Sequence, residues 1–431
     1  MSAQISSQLF SDPRALLVTG FIIGLLGIIP GMPNLVFLTL ASACFGGAWW
    51  ISNHPEQADD TEQDRQDEEQ PLEQKDLSWD DVKGVDVIGM EIGYKIIPLV
   101  DADQDGSILT RVKGVRRKLS ESLGFLVQPV HIRDNLDLSP SLYRITIHGV
   151  AEGEGEIYPE RELAINPGNT QASLQGMSTK DPAFGMDAVW IDPAQRDHAQ
   201  MLGFTVVDAS TVIATHLNKI LLEHASDLLG HEETERLLEV VGKRSPKLIE
   251  DLVPKALPLS TVVRVLQNLL REGIPITDMR TIAETLAEES VNSQDADVLT
   301  AATRIALKRM IGQQINGLDK ELPVITLDAE MEQILLQSLN NSHGGSLVIE
   351  PGLADRLNQS LQEIVQRQEM KNEPAVLLVT PPLRTWLARM LLPGIPGLKV
   401  LAYNEVAENK QLKLIASIGN TNAQQGIGHA A

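Results

Sequence analysis

Two uncharged apolar runs near the start of the chain place the strongest constraint on its fold. They span residues 15–29 and 35–50, and an uncharged turn at 30–34 separates them. Each run is slightly shorter than the ~20 residues that cross a bilayer, but together with the turn they predict a transmembrane helical hairpin over 14–52. A secretory signal peptide and a buried hairpin of a soluble protein are the alternatives, and the five glycines of the two runs favour close helix packing in lipid.

An acidic segment follows the hairpin. Residues 54–76 contain many acids and amides and almost no apolar side chain, which predicts a solvated linker over 53–86. Trp79, near its end, is unusual because a large aromatic side chain is unfavourable in water. We therefore expect Trp79 to dock on its own domain or on a neighbouring copy.

Charge and cysteine content exclude several classes of protein. The formal net charge of -22 argues against nucleic acid as a partner, because Lys and Arg drive phosphate binding. The single cysteine, Cys44, allows no disulfide framework within one chain. A chain of 431 residues is too long for one core, so two to four domains are expected.

From residue 87 the pattern is α/β. Strands are predicted at 93–100, 130–132, 143–149, 162–165, 188–191, 324–327, 375–379, 399–402 and 412–418. Helices are predicted at 108–125, 195–202, 209–229, 329–339, 352–368 and 383–391, and 230–310 is predicted to be helical throughout. The uniformly apolar segment 375–379 is typical of a central parallel strand.

The stretch 181–191 joins a turn to a strand. Asp181-Pro182 and Gly185 are turn residues, and the apolar run after them ends at Trp190 and Ile191. Phe184, between the turn residues, is either a plug in the core or an aromatic displayed at the mouth of a cleft. From the residues alone the core plug is favoured.

No arrangement of residues indicates catalysis. Residues 101–106 match half of a calcium loop, but Val112 stands where a bidentate Glu is required. His231 has no second histidine four residues on, and His216 is predicted to be a packed or hydrogen-bonded helix residue. The acids among the glycines of 149–155 would repel phosphate. The chain is therefore predicted to be a non-enzyme without a cofactor.

Nine short segments occur in an order typical of one family. They read IIPGMP at 28–33, GMEIGY at 89–94, VHIRDN at 130–135, AINPG at 164–168, DPAFG at 181–185, TVIATHLN at 211–218, EDLVP at 250–254, VLQNLL at 265–270 and DMR at 278–280. On these segments the chain resembles the FHIPEP family of type III secretion proteins, in its flagellar branch. The resemblance covers nearly the whole chain.

The resemblance implies a multidomain α/β body that hangs as a nonameric ring below a gate in the bacterial inner membrane. Its implied partners are export chaperone–substrate complexes, other export-gate proteins and the export ATPase complex. The body would have four subdomains and a flexible tail. These fall at 87–159 with 209–228, at 160–208 as an insertion, at 229–308, at 309–418 and, for the tail, at 419–431.

The resemblance also assigns functional residues. A chaperone dock between the first two subdomains falls on Asp181, Phe184, Val207, Val212 and Thr215. A linker contact with the neighbouring subunit falls on Asp76, Trp79 and Asp81, and a hinge falls on Gly93.

One departure from the family pattern and three alternatives remain. Family members carry a longer membrane part upstream, so the chain is expected to be a C-terminal fragment, a truncated gene product or a product of a mis-set start. No residue here can then be assigned to proton use. The alternatives are the equivalent protein of a virulence injectisome, a membrane-anchored hydrolase, and a scaffold in which the subunit ring matters and the dock does not.

Overall fold

The computed structural model describes residues 84–101, 106–168, 173–341 and 351–419, with a few helical residues between 21 and 49. The chain divides into two compact units, Met1–Lys83 and Gly84–Ala431. The predicted hairpin at 14–52, the linker at 53–86 and the tail at 419–431 lie largely outside the described residues. Among the residues that are described, no helix has both the length and the apolar character needed to cross a bilayer.

The second unit alternates strands and helices. Its strands are β1 (Ile88–Ile92), β2 (Val130–Asp134), β3 (Leu142–Ile147), β4 (Val150–Glu156), β5 (Glu162–Ile165), β6 (Met177–Lys180), β7 (Asp187–Ile191), β8 (Thr205–Asp208), β9 (Glu321–Leu327), β10 (Ala375–Val379), β11 (Leu398–Ala402) and β12 (Gln411–Ile418).

The helices follow the predicted pattern closely. They are α1 (Ile97–Val100), α2 (Ser107–Leu123), α3 (Arg196–Met201), α4 (Ala209–Glu223), α5 (His231–Gly242), α6 (Pro246–Glu250), α7 (Leu259–Arg271), α8 (Met279–Glu289), α9 (Ala296–Ala306), α10 (Lys308–Asn316), α11 (Ala329–Asn341), α12 (Pro351–Met370) and α13 (Pro381–Leu391). Single turns at Tyr94–Ile96, Pro193–Gln195, Asp251–Ala256 and Tyr403–Glu405 complete the set.

The first sheet has the order β2-β1-β3-β4, with β1 parallel to β2 and antiparallel to β3. Helices α2 and α4 pack together beside it. Helix α2 ends as predicted at Gly124, whose φ of 92° suits glycine and whose N–H bonds to the Ser120 carbonyl.

The predicted strand at 93–100 is wrong. The strand lies earlier, at β1, and the chain from Tyr94 to Val100 forms two short helical turns. An apolar run of this length fits either state, and Pro98 decides between them. Proline has no N–H for a strand ladder, and its fixed φ suits the first turn of a helix, where it stands in α1.

The second sheet has the order β6-β7-β5-β8 and is antiparallel throughout. Its side chains alternate between two cores, as the period of a strand requires. Leu163 and Trp190 belong to the main core, whereas Ala164, Ile191 and Val206 pack in a smaller core with Phe204.

The segment 230–310 is helical, as predicted. Helix α7 buries Val262, Leu266 and Leu269 on one face, and Gly273, with φ of 72°, stands just beyond its end. Asp278 begins α8, where its carboxylate accepts the Thr281 N–H.

The third sheet has the order β11-β10-β9-β12 and is wholly parallel. All five residues of β10 are buried, which confirms the predicted central strand. One face of the sheet shares the main core through Val376 and Leu378, and the other packs on α11 to α13. The subdomain boundaries inferred from the resemblance stay a prediction.

Candidate functional site

The turn between β6 and β7 is built around Asp181. Its N–H donates to the Met186 carbonyl at 2.8 Å, and its carbonyl accepts the Gly185 N–H at 2.8 Å. Its carboxylate accepts the Phe184 N–H, also at 2.8 Å. Gly185 has a φ of 69°, a left-handed conformation that favours glycine. These three hydrogen bonds fix the backbone that carries Phe184.

Phe184 points outward, so the core-plug prediction is wrong. Its side chain is 63% exposed, whereas Asp181 is 3% exposed. Because the turn folds over its own carboxylate, Asp181 takes the interior position and Phe184 the exterior one. The large aromatic of the core is Trp190, 1% exposed, in an edge-to-face contact with Tyr158 at 5.6 Å between ring centroids.

The other three predicted docking residues lie on β8 and α4. Val207 is half-buried on β8 and packs against the main core. Val212 is only 2% exposed, so it supports the site from within and offers almost no surface. Thr215 is half-buried, and its hydroxyl donates to the Thr211 carbonyl at 2.8 Å. Of the five predicted residues, Phe184 therefore carries most of the exposed apolar surface.

A buried polar pair joins the first sheet to α4. The Tyr143 hydroxyl lies 2.8 Å from His216 Nδ1, and the two aromatic rings meet edge to face at 5.8 Å. This contact confirms that His216 is a hydrogen-bonded helix residue. Burial, and then the nearby Lys219, lower the pKa of His216, while the charge of Asp181 acts in the opposite direction.

Asp208 is a structural residue of the site that the sequence analysis missed. It begins α4, where its carboxylate accepts the Thr211 N–H at 2.9 Å and the Thr211 hydroxyl at 2.7 Å. Arg111 of α2 donates to it at 2.7 Å. Burial acts to raise the pKa of Asp208, but the bonds from Thr211 and the charge of Arg111 outweigh burial and lower it. An aspartate immediately before an apolar helical run is a helix-start signal that could have identified it.

The remaining predicted residues are not part of this arrangement. Asp76, Trp79 and Asp81 lie outside the described residues. Gly93 has an ordinary φ of -73°, but a Cβ there would stand 2.3 Å from the Ser139 carbonyl oxygen. The tight backbone approach explains the glycine, and the hinge stays a prediction.

A second concave surface lies between the end of α2 and α5. This groove has a volume of about 500 Å³, and its lining includes Phe125, Leu126 and Val240. Leu126 is 64% exposed and Val240 is 59% exposed. Apolar surface of this kind is typical of a contact with another protein.

The described residues give the hydrolase hypothesis no support. Within the part of the chain that the structure describes, no three His, Cys, Asp or Glu side chains stand close enough to hold a metal ion. Asp181 hydrogen-bonds to the backbone of its own turn, at Phe184, Gly185 and Met186.

Sequence comparison assigns the chain to a known family. The FHIPEP family model matches residues 1–411. Flagellar biosynthesis protein FlhA of Salmonella typhimurium is 47% identical over 422 residues, which is 96% of this chain and 59% of that protein. The protein of the same name from Bacillus subtilis is 33% identical over 416 residues, 96% of this chain and 61% of that protein.

Solved structures share the fold at lower identity. The Chlamydia pneumoniae CdsV protein has a TM-score of 0.67 at 21% identity, covering 79% of this chain and all of that one. Nonameric EPEC SctV-C has a TM-score of 0.60 at 21% identity, covering 78% of this chain and 99% of that one. Since the family model spans nearly the whole sequence, this chain belongs to the FHIPEP family.

Proposed function

We propose that this chain is a component of the flagellar type III protein export gate. In this role its folded body forms a platform that docks export chaperone–substrate complexes and hands flagellar subunits to the membrane gate. The 47% identity to the Salmonella flagellar protein supports the proposal. The chain covers 59% of that relative, so the activity of the whole protein is part of the proposal.

The observation that carries the docking role is Phe184. Phe184 presents an aromatic side chain that is 63% exposed, and aromatic residues are enriched in protein–protein interfaces relative to the rest of the surface. The hydrogen bonds of the Asp181 turn hold it in place before binding, so little conformational freedom is lost when a partner arrives. Large aromatic side chains in this position commonly dominate the energy of an interface.

Assembly into a subunit ring is the second part of the proposal. SctV-C, which shares the fold, is nonameric, and CdsV has also been solved in complex with CdsO. The groove between α2 and α5 offers apolar surface for a contact between copies. We place Trp79, with Asp76 and Asp81, in the same inter-subunit contact, and Gly93 at a hinge.

The proposed location is the bacterial inner membrane, with the hairpin at 14–52 among several spans and the body in the cytoplasm. Other export-gate proteins and the export ATPase complex are the further proposed partners. The equivalent injectisome protein is the alternative, and the higher identity to flagellar relatives disfavours it. Gene neighbourhood discriminates between the two.

The test is a titration of the full chain, purified in detergent, with a flagellar export chaperone bound to its filament subunit. Phe184→Ala is expected to weaken binding by about 1–3 kcal/mol without changing the circular dichroism spectrum. The matched control is Leu136→Ala, which removes another exposed apolar side chain, 81% exposed, from a different loop. Equal affinity for the two variants and the unchanged chain would refute the docking role.

A further inference from the structure

Four charged side chains meet where the helical region at 230–310 contacts the third sheet. We call Arg304, Glu405, Arg384 and Glu272 the charge quartet. Arg304 contacts both carboxylates, and so does Arg384, whose Nε lies 3.5 Å from Glu405 Oε1. The side chain of Glu272 is 13% exposed, whereas the other three are at most 3% exposed. The quartet is therefore a closed set of alternating charges that is largely shielded from solvent.

Each member of the quartet has one partner on its own side of the junction and one across it. Arg304 of α9 and Glu272 at the end of α7 lie in the helical region and contact each other. Arg384 of α13 and Glu405 after β11 lie on the side of the third sheet and also contact each other. The contacts of Arg304 with Glu405 and of Arg384 with Glu272 join the two sides. Each side thus contains one positive and one negative member.

This arrangement indicates that the quartet as a whole contributes little net stability. Charges that are already paired on each side gain a second partner when the sides meet, but they lose their contact with water. The Coulomb gain of buried ion pairs and their desolvation cost commonly cancel, so apolar residues of similar volume are often equally stabilising. Removal of a single member is costly instead, because it leaves the remaining buried charges unbalanced.

Apolar contacts alone do not define how the two sides are oriented. Leu378 and Leu401 of the third sheet share the main core with the helical region, and burial of apolar surface has no preferred direction. The quartet is directional. Arg304 donates to both carboxylate oxygens of Glu405 and to the Val400 carbonyl, the latter at 3.2 Å. A rotation of the third sheet against the helices would break these buried hydrogen bonds.

We infer that the charge quartet is an orientation lock, which holds the helical region and the third sheet in one relative arrangement so that they move as a single body. The predicted boundary between residues 308 and 309 is then a division of the sequence and not a flexible joint. Any change of shape within the second unit occurs at other junctions. The inference is independent of the proposed docking role of Phe184 and of assembly into a subunit ring.

The experiment measures the relative position of the two sides. Spin labels are attached at Glu288→Cys in α8 and Gln366→Cys in α12, both exposed positions, in the full chain with Cys44→Ala. The labelled chain is purified in detergent and diluted with unlabelled chain, so that double electron–electron resonance reports the distance within one chain. With the quartet intact, one narrow distance distribution is expected.

The test variant replaces all four charges with apolar residues, as Arg304→Met, Arg384→Met, Glu272→Leu and Glu405→Leu. It is expected to keep its circular dichroism spectrum but to lose the single narrow distance. The matched control is Lys308→Met with Glu408→Leu, which removes an ion pair that crosses the same junction at the surface and should keep the narrow distance. A folded test variant with the narrow distance of the unchanged chain would overturn the inference.

A second variant gives an answer even if the apolar variant does not fold. Arg304→Lys keeps the positive charge but replaces the planar, two-pronged guanidinium with an ammonium group, which does not reproduce the two-pronged contact with Glu405. In a folded protein the distance distribution is expected to be broader than that of the unchanged chain. An unchanged distribution would contradict the lock, because the orientation would then not depend on the directional contact.

Discussion

Arg304 and Glu405 form a two-pronged ion pair that is sealed from solvent. Arg304 Nε lies 2.7 Å from one carboxylate oxygen and Nη2 lies 2.6 Å from the other. The two side chains are 3% and 2% exposed. Arg304 belongs to α9, whereas Glu405 follows β11, so the pair joins the helical region to the third sheet. Arg384 of α13, also buried, and Glu272 at the end of α7, 13% exposed, extend it to four charges.

Removal of Glu405 is expected to be severely destabilising. In Glu405→Ala the buried guanidinium groups lose a shared carboxylate, and breaking such a pair costs about 3–5 kcal/mol. Urea unfolding followed by circular dichroism measures the loss. The control is Glu408→Ala. Glu408 forms an ion pair with Lys308 on the surface, so its removal should shift the urea midpoint very little. A similar shift in both variants would contradict a buried network.

The free energy of unfolding is expected to fall below pH 6.5 because of His216. Its pKa in the folded protein is lower than the ordinary value of 6.5. Above that pH the imidazole is neutral in both states and contributes nothing. Below it, the unfolded chain binds a proton that the folded chain resists. The free energy of unfolding then falls by at most about 1.4 kcal/mol per pH unit for one group. From about pH 7 to pH 5, the urea midpoint should fall less in His216→Gln than in the unchanged chain. Parallel curves of midpoint against pH for the two proteins would refute the role of His216.

Gly153→Ala is expected to destabilise the fold. The added methyl group would overlap Ile220 and the His216 imidazole, and overpacking of this kind costs about 1–3 kcal/mol. Gly114→Ala is the matched control, because its Cβ would meet nothing within 4 Å in helix α2. There alanine is expected to stabilise by about 0.5–1 kcal/mol. Thermal unfolding of the two variants should therefore shift in opposite directions.

Asp208→Ala tests the start of α4. Loss of a helix-capping carboxylate costs about 1 kcal/mol, and Asp208→Asn should retain most of that stability because asparagine also caps. The pKa of Asp208 is lowered from 3.8 in the folded protein, so its stabilising effect is present above that pH. The difference between the alanine variant and the unchanged chain should shrink as the pH falls below 3.8 and through the lower pKa of the folded protein. A difference that does not vary with pH would exclude the ionised carboxylate as its source.

Local signals predicted much of the fold. Gly124, Gly273 and Asp278 mark helix ends in the sequence and in the structure, because capping depends on a few neighbouring residues. The apolar segment at β10 likewise identified a buried parallel strand. The segment 94–100 was wrongly predicted as a strand because its apolar residues suit either a strand or a helix. Strand β4 was not predicted because glycines and acids rarely form strands.

Features that depend on distant partners could not be predicted in this way. Nothing near Tyr143 in the sequence indicates that its hydroxyl will form a hydrogen bond with His216, 73 residues away. The outward direction of Phe184 depends on which side of the turn Asp181 occupies, and a three-residue spacing does not specify that side. The four charges of the network that contains Arg304 come from four separate segments.

The interruption between β4 and α4 has a consequence for synthesis of the protein. Strands β5 to β8 lie between them in the chain, although α4 packs directly against β4. At roughly 5–20 residues per second, a ribosome needs about 3–10 seconds to add the roughly 50 intervening residues. Until then the faces of the first sheet and of α2 that α4 covers stay open to non-native association. A pause in translation within 157–208 would prolong that interval and increase aggregation of the newly made chain.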